Sequence, residues 1–353
     1  MALLRIGLVG CGRIAEKHVM ALTKLREEAE LTAICDISAE RLEQFGRRIR
    51  HPHYPAVRQY SSVEEMLASD GIDLVTIATS SDSHAPLVRQ ALRAGKHVLV
   101  EKPLALTLDE AREIVREAEA RHLTLAVSFQ ARYLPQIVAI KRAVTGNKFG
   151  TLAHGVVSMR WHRSEAYYAE ASWREEWQRG GGLFMNQCIH YVDLLQWLMG
   201  PVASVYAQGG VYGQDIAVEN MGAAVLRFHS GAVGIVEASN GTYPHSLGTS
   251  IGLFGNKGAV LLEGDRLNEL KRWAFHEACS DTALPELDDR ISHTPLYSDL
   301  VKAIRTGSHP LAAADSSIAA VEIVLAIYQS MATGKVIELP LGNFNMSDMA
   351  WME

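Results

Sequence analysis

Lys102 stands in the tripeptide Glu101-Lys102-Pro103, directly after the β-branched run from His97 to Val100. An ammonium at the end of a buried strand can stabilise a developing alkoxide or relay a proton, with its proton affinity lowered by burial. Pro103 holds Lys102 in extended backbone and permits a cis peptide. By burial alone, a lysine after a strand is a solvated surface residue, so both readings stand. A second constellation follows the triplet Gly180-Gly181-Gly182, where Asn186, His190 and Asp193 recur at spacings that put them on one helix face. His190 titrates near neutrality and can accept a proton from a reacting hydroxyl. Asn186 can orient a substrate but cannot act as a base. Asp193 fits two roles equally, orienting the imidazole or packing the helix. A plain amphipathic helix with mutually satisfied polar groups shows the same spacing.

A third group speaks of a nucleotide. Gly10-Cys11-Gly12-Arg13-Ile14-Ala15 follows an apolar run and opens a helical stretch. Gly10 allows the tight turn, Gly12 lets backbone approach a pyrophosphate, and Ala15 keeps helix and strand close. The N–H groups from Arg13 and Ile14 onward then face the phosphates with the positive end of the helix dipole. An ordinary strand-to-helix turn also uses glycines, but Asp36 ends the next strand about 20 residues on, where a carboxylate accepts from the adenine ribose. Its charge repels a 2′-phosphate, which favours NAD over NADP, although Arg41 nearby softens that repulsion. Thr79, Ser81 and His84 lie after the next apolar run, at the carboxyl edge where open α/β sheets bind ligands. Ser83 there also reads as a helix cap. Gln130 and Arg132 follow the last strand of this half.

The elements that must position these groups alternate in the first half. Strands are expected at Leu4 to Val9, Glu30 to Cys35, Leu74 to Ala78, His97 to Val100 and Thr124 to Ser128, with helices between them, which is the pattern of a doubly wound parallel sheet. Beyond about residue 150, longer alternating strands predominate, giving an α+β domain with a large, mostly antiparallel open sheet. Helices are expected at Gly182 to Leu198 and Ser316 to Met331. The domain boundaries follow as 1–128, 129–342 and a tail at 343–353. The charged stretch Asp281 to Arg290 and the tail are expected to be weakly ordered.

Composition narrows the classes. The chain has 353 residues and a formal net charge of −6, with Lys and Arg dispersed, so nothing marks a nucleic-acid partner or an anionic membrane. No secretory signal opens the chain and no apolar run of membrane-spanning length stands out, so the expected location is cytoplasmic. Cys11, Cys35, Cys188 and Cys279 show no paired spacing and read as reduced thiols, and no metal site is expected.

Taken together, GCGRIA, Asp36, the Glu101-Lys102-Pro103 tripeptide and GGGLFMNQCIHYVDLL from Gly180 to Leu195 resemble the glucose-fructose oxidoreductase, inositol dehydrogenase and MocA (Gfo/Idh/MocA) family over essentially the whole chain. The resemblance implies a Rossmann domain followed by a substrate domain that builds homo-oligomers, dimers or tetramers, with Lys102 and His190 catalytic. Asn186 departs from the aspartate usual in the family's motif. Asn186-Gln187, Trp173, Trp177, the Arg163 to Tyr168 segment and Thr242-Tyr243-Pro244 are similar to the branch of UDP-N-acetyl-2-amino-2-deoxyglucuronate dehydrogenases, the WlbA/WbpB type. That branch implies NAD-dependent oxidation of a sugar 3-hydroxyl. Within it, Asn186, Arg163, Tyr168 and Gln130 would contact the sugar or UDP-sugar, Arg163 through its planar fork. Gly10, Gly12, Arg13, Ile14, Asp36, Thr79, Ser81, His84, Glu101, Lys102 and Gln130 would surround the cofactor. An inositol or simple-sugar dehydrogenase, and a silent NAD-binding regulator, remain as alternatives.

Overall fold

The computed structural model describes residues 2–49, 57–276, 287–288, 292–342, 344 and 349. It divides into two compact units, Met1–Gln130 with Ser292–Ile318, and Ala131–Ile291 with Ala319–Glu353. The expected stretch 129–342 is therefore interrupted, because the first unit takes in a segment from late in the chain. The expected weak order at Asp281 to Arg290 and in the tail falls almost wholly outside the described residues.

In the first unit, strands β1 (Leu4–Val9), β2 (Ala29–Cys35), β3 (Arg58–Tyr60), β4 (Leu74–Ile77), β5 (His97–Val100) and β6 (Leu125–Val127) form one sheet in the order β3-β2-β1-β4-β5-β6. All its strand pairs are parallel. The order reverses between β1 and β4, so a crevice opens at their carboxyl ends, the place where such sheets bind ligands. Strand β3 is short, polar and at the edge, which is why no apolar pattern announced it.

Helices α1 (Ala15–Lys24), α2 (Ala39–Arg48), α3 (Val63–Ala68), α4 (His84–Arg93) and α5 (Leu108–Ala120) join the strands. Ser38, Ser62 and Thr107 cap α2, α3 and α5 by accepting from the N–H three residues on. No side chain caps α1. The returning segment contributes the Thr294–Thr306 helix, and Ala313 bridges Ala126 beside β6.

The second unit begins with α6 (Pro135–Thr145) and holds β7 (Leu152–Arg160), β8 (Val202–Gly210), β9 (Met221–Phe228), β10 (Val233–Ser239), β11 (Gly248–Gly255), β12 (Gly258–Glu263), β13 (Glu269–Phe275) and β14 (Ile337–Glu338). They form an eight-stranded sheet, β13-β12-β11-β7-β10-β9-β8-β14, in which only the β10–β7 pair is parallel. The Ile189–Met199 helix approaches one face at glycines. A Cβ on Gly155 would fall 2.2 Å from Met199 Sδ, and one on Gly222 2.6 Å from the Phe184 ring.

The Asp315–Thr333 stretch passes, by length and composition, as a membrane-crossing helix, contrary to the expectation that none would. Its most apolar window is 61% buried, so its apolarity is that of a core helix.

Candidate active site

The first unit presents a nucleotide cradle at the crevice between β1 and β4. Gly10 takes φ +96°, and a Cβ there would stand 2.5 Å from the Ala78 carbonyl oxygen, so only glycine fits. A Cβ on Gly12 would meet nothing within 4 Å. The backbone of Gly12, with Arg13 exposed and Ile14 half-buried beyond it, faces open space at the uncapped start of α1. That is where a phosphate completes a helix end. The Asp36 carboxylate is fixed in advance, accepting from the Cys11 and Ser38 N–H groups at 2.8 Å each. Gln130, half-buried at the end of this unit, carries a buried Oε1 that lacks a hydrogen-bond partner among the described residues. These features fit a dinucleotide, whose ribose hydroxyls and pyrophosphate match the acceptor and the donors on offer.

Thr79 and Ser81 lie on the second loop of the crevice. Ser83 does not cap α4, because its hydroxyl turns back to Thr79 Oγ1 and the Ser80 carbonyl, both at 2.7 Å. His84 is buried, with Nδ1 donating to the Pro103 carbonyl at 2.7 Å and Nε2 3.3 Å from that of Thr79. Its ring therefore ties the two loops together. Burial pushes its proton affinity down, leaving a neutral imidazole.

Lys102 leaves the end of β5 and precedes a cis peptide to Pro103. Burial lowers its proton affinity, and the charge of Glu101 opposes that shift. The Glu101 carboxylate is itself turned onto His18 and His293, neither of which the sequence reading singled out. His18 was open to detection, as a polar residue on the buried stripe Ala15, His18, Val19 and Leu22 of α1. His293 is far away in sequence and offered no local signal.

In the second unit, the glycine-led helix begins with a π-helical turn, Phe184–Cys188, before the α-helical Ile189–Met199. Such turns concentrate at functional sites. A step of four residues stays close to one turn in either geometry, so Asn186 and His190 keep one side. Asp193 does not join them. Its carboxylate is gripped by Arg132 through Nε at 2.8 Å and Nη2 at 2.5 Å, and both side chains are fully buried. This decides for Asp193 as a packing anchor, and it makes Arg132 an internal partner rather than a group offered to a ligand.

A polar cluster borders this helix. Gln187 donates to the Tyr167 hydroxyl at 3.1 Å, while Asn240 donates to the Tyr168 hydroxyl at 3.2 Å and to Gln187 Oε1 at 3.3 Å. Burial pushes Tyr168 up to about 12, which keeps its hydroxyl protonated at neutral pH. The Arg163 guanidinium lies over Trp161 at 4.8 Å and Tyr167 at 5.3 Å, and its backbone N–H donates to the Asn240 carbonyl. Tyr167, Tyr168 and Arg163 are thus drawn together with the start of the helix, joining two of the segments on which the branch resemblance rests. Gln187 and Asn240 are additional members; Asn240, distant in sequence, carried no signal of its own.

Glu219 sets the entry to the helix. One of its oxygens accepts from the Phe184 N–H and the Tyr328 hydroxyl, both at 2.9 Å. A Cβ on Gly182 would lie 1.3 Å from the other oxygen, which explains the third glycine of the triplet. Complete burial raises this carboxyl to about 8.

Comparisons with known proteins agree with this architecture. Residues 4–129 match the model described as an oxidoreductase family with an NAD-binding Rossmann fold, and residues 137–261 match the GFO/IDH/MocA C-terminal domain. The crystal structure of the WlbA dehydrogenase from Bordetella pertussis, in complex with NADH and UDP-GlcNAcA, superposes with a TM-score of 0.87 at 35% identity, covering 97% of this chain and 100% of that one. Among curated sequences, D-apiose dehydrogenase of Paraburkholderia graminis is 27% identical over 94% of this chain and 88% of its own length. Myo-inositol 2-dehydrogenase of Thermotoga maritima is 29% identical over 74% of this chain and 76% of its own. The chain belongs to the Gfo/Idh/MocA family of oxidoreductases. It is an NAD-dependent dehydrogenase acting on a CH–OH group.

Proposed function

We propose that this dehydrogenase oxidises the 3-hydroxyl of a UDP-linked N-acetylated uronic sugar. The observation that carries the reading is the cluster of Arg163, Tyr167, Tyr168, Gln187 and Asn240 around the helix of Asn186 and His190. Its support from outside is the likeness to WlbA, whose structure holds UDP-GlcNAcA. NAD, when bound, supplies the hydride acceptor. Gly10, Gly12, Arg13, Ile14, Asp36, Thr79 and Ser81 would hold it, with Gln130 Oε1 receiving a donor. His190 takes the hydroxyl proton. Lys102 stabilises the alkoxide or relays charge. Asn186 orients the sugar without titrating, and Arg163 pairs with the sugar carboxylate. His84 and Glu101 act from behind, shaping the loops.

The protein works in the cytoplasm, with 1–128 as the core of its cofactor domain and 129–342, apart from the 292–318 segment that joins the first unit, supplying the substrate and assembly surfaces. Tyr206, Val225 and Ile235 are register neighbours on β8, β9 and β10 and are 40%, 49% and 41% exposed. An apolar row of this kind across an open sheet suits a second copy of the chain, giving a dimer or tetramer.

The deciding experiment is an assay of NADH formation with UDP-N-acetylglucosaminuronate, neutral UDP-sugars, free pentoses and inositols. Turnover is expected with the uronate alone or best. Turnover of inositol alone would overturn the UDP-sugar reading in favour of a polyol dehydrogenase.

A further inference from the structure

Behind Lys102 lies a buried cluster of which the reaction above uses only Glu101, and that only to shape a loop. Glu101 is 7% exposed, and His18 and His293 are 0% and 2% exposed. A single carboxylate oxygen of Glu101 meets both histidines, His18 Nε2 at 3.1 Å and His293 Nε2 at 3.3 Å. The two rings stand 4.5 Å apart, tilted. Beyond them, His18 Nδ1 is 3.0 Å from the Tyr297 hydroxyl, which is 2.8 Å from Thr76 Oγ1. The chain of contacts joins α1, β4, β5 and the Thr294–Thr306 helix, all within the first unit.

A buried carboxylate is tolerated only where polar groups compensate for lost water; here the His18 Nε2–H donates to it and His293 Nε2 stands 3.3 Å away without the alignment of a hydrogen bond. We propose that His18 and His293 are positioning residues for Lys102. His18 holds Glu101 by a hydrogen bond and His293 packs its ring nitrogen against the same oxygen, so together they fix the strand end from which the lysine departs and the place of the negative charge that it feels. The inference rests on Lys102 being the reacting group proposed above.

The surrounding electrostatics are consistent with this role. Burial keeps His18 neutral, so it serves as a donor and not as a second cation beside the lysine. Glu101 stays ionised, held well below the usual carboxylate range by its two histidines. The other titratable groups facing the cluster are Lys17 on α1, His84 at the start of α4 and Tyr297. Geometry and charge together make the histidines the setting for Lys102, and Glu101 the member whose charge acts on it.

The test measures Lys102 itself. Competitive acetylation of the full-length chain across pH, read by mass spectrometry, gives the proton affinity of each lysine. Glu101→Gln removes the charge and should move the Lys102 midpoint down. His293→Ala leaves the carboxylate less compensated and should move it up. Each shift should be on the order of one pH unit. His293→Gln restores a polar group beside the carboxylate and should return the midpoint toward wild type. Shifts in one common direction, or none in variants that circular dichroism shows to be folded, would overturn the proposal. So would zinc bound at one per chain and lost in His293→Ala, because the imidazoles would then be ligands and not donors. Wild-type turnover in Lys102→Met alongside the expected midpoint shifts would remove the catalytic reading of Lys102 and leave the coupling standing.

Discussion

His190 and Lys102 are each placed by something other than their own chemistry. His190 rides a helix whose first turn is set by Glu219, and Lys102 leaves a strand end whose neighbouring carboxylate is held by two histidines. Removing the proton acceptor proposed above should therefore affect turnover far more than binding. His190→Asn is expected to lower kcat by roughly 10²- to 10⁴-fold, while the Kd for NAD, measured by fluorescence titration, stays within about threefold of wild type. A wild-type kcat would exclude His190 as the base. Both residues stood out by type and context, a histidine behind a glycine triplet and a lysine after a strand, and their roles are the proposal made above. The residues that position them were not, because Glu219 and His293 act across long sequence separations.

At the scale of elements, the helical stretch from Phe184 to Met199 is fixed by two buried contacts of different kinds, one on its π turn and one on its α-helical part. The Arg132–Asp193 pair is dry and bidentate, so breaking it on one side leaves a buried charge alone. Arg132→Leu should cost about 3–5 kcal/mol in a urea titration, and Asp193→Leu added to it should recover much of the loss. Non-recovery would mean that the arginine acts through packing instead. The Glu219 contact depends on pH. Its carboxyl titrates near 8 when folded, against an ordinary 4.5, so the folded protein holds a proton that the unfolded chain releases within that window. Stability is then greatest below about pH 4.5 as far as this group is concerned, and it falls as pH rises through about 8. Thermal melts from pH 6 to 9 should show Glu219→Gln with a flatter profile than wild type, and an equally steep decline in both would assign the pH dependence elsewhere. The sequence announced this helix but not its π turn, since periodicity does not distinguish five residues bonded i→i+5 from the α-helix that follows them.

For the whole molecule, the open sheet makes the clearest commitment. Its exposed row of Tyr206, Val225 and Ile235 is too apolar to leave in water without consequence. For the oligomer proposed above, Ile235→Glu is expected to shift sedimentation toward the monomer at micromolar concentration; an unchanged oligomer would move the interface to another face, and a monomeric wild type would overturn the proposal. Alternation along β9 and β10 made this face readable strand by strand. The row itself needed the register, which pairs Tyr206 with Val225 and Val225 with Ile235.

By itself the sequence determined what depends on local order: the glycine turn and its acidic partner, the alternation of strand and helix, and the residue types that take protons. These are properties of neighbours along the chain, and chain geometry enforces them. Only the tertiary structure decided which polar groups are spent internally. Asp193 could orient His190 or anchor a helix on equal terms until Arg132 was found on its carboxylate. Glu101, expected beside the cofactor, also carries two histidines against one of its oxygens, one of them from far along the chain. The physical reason is the same in both cases. A buried charge must be satisfied wherever the fold brings a partner, and pairing over long sequence distances leaves no period or spacing to read.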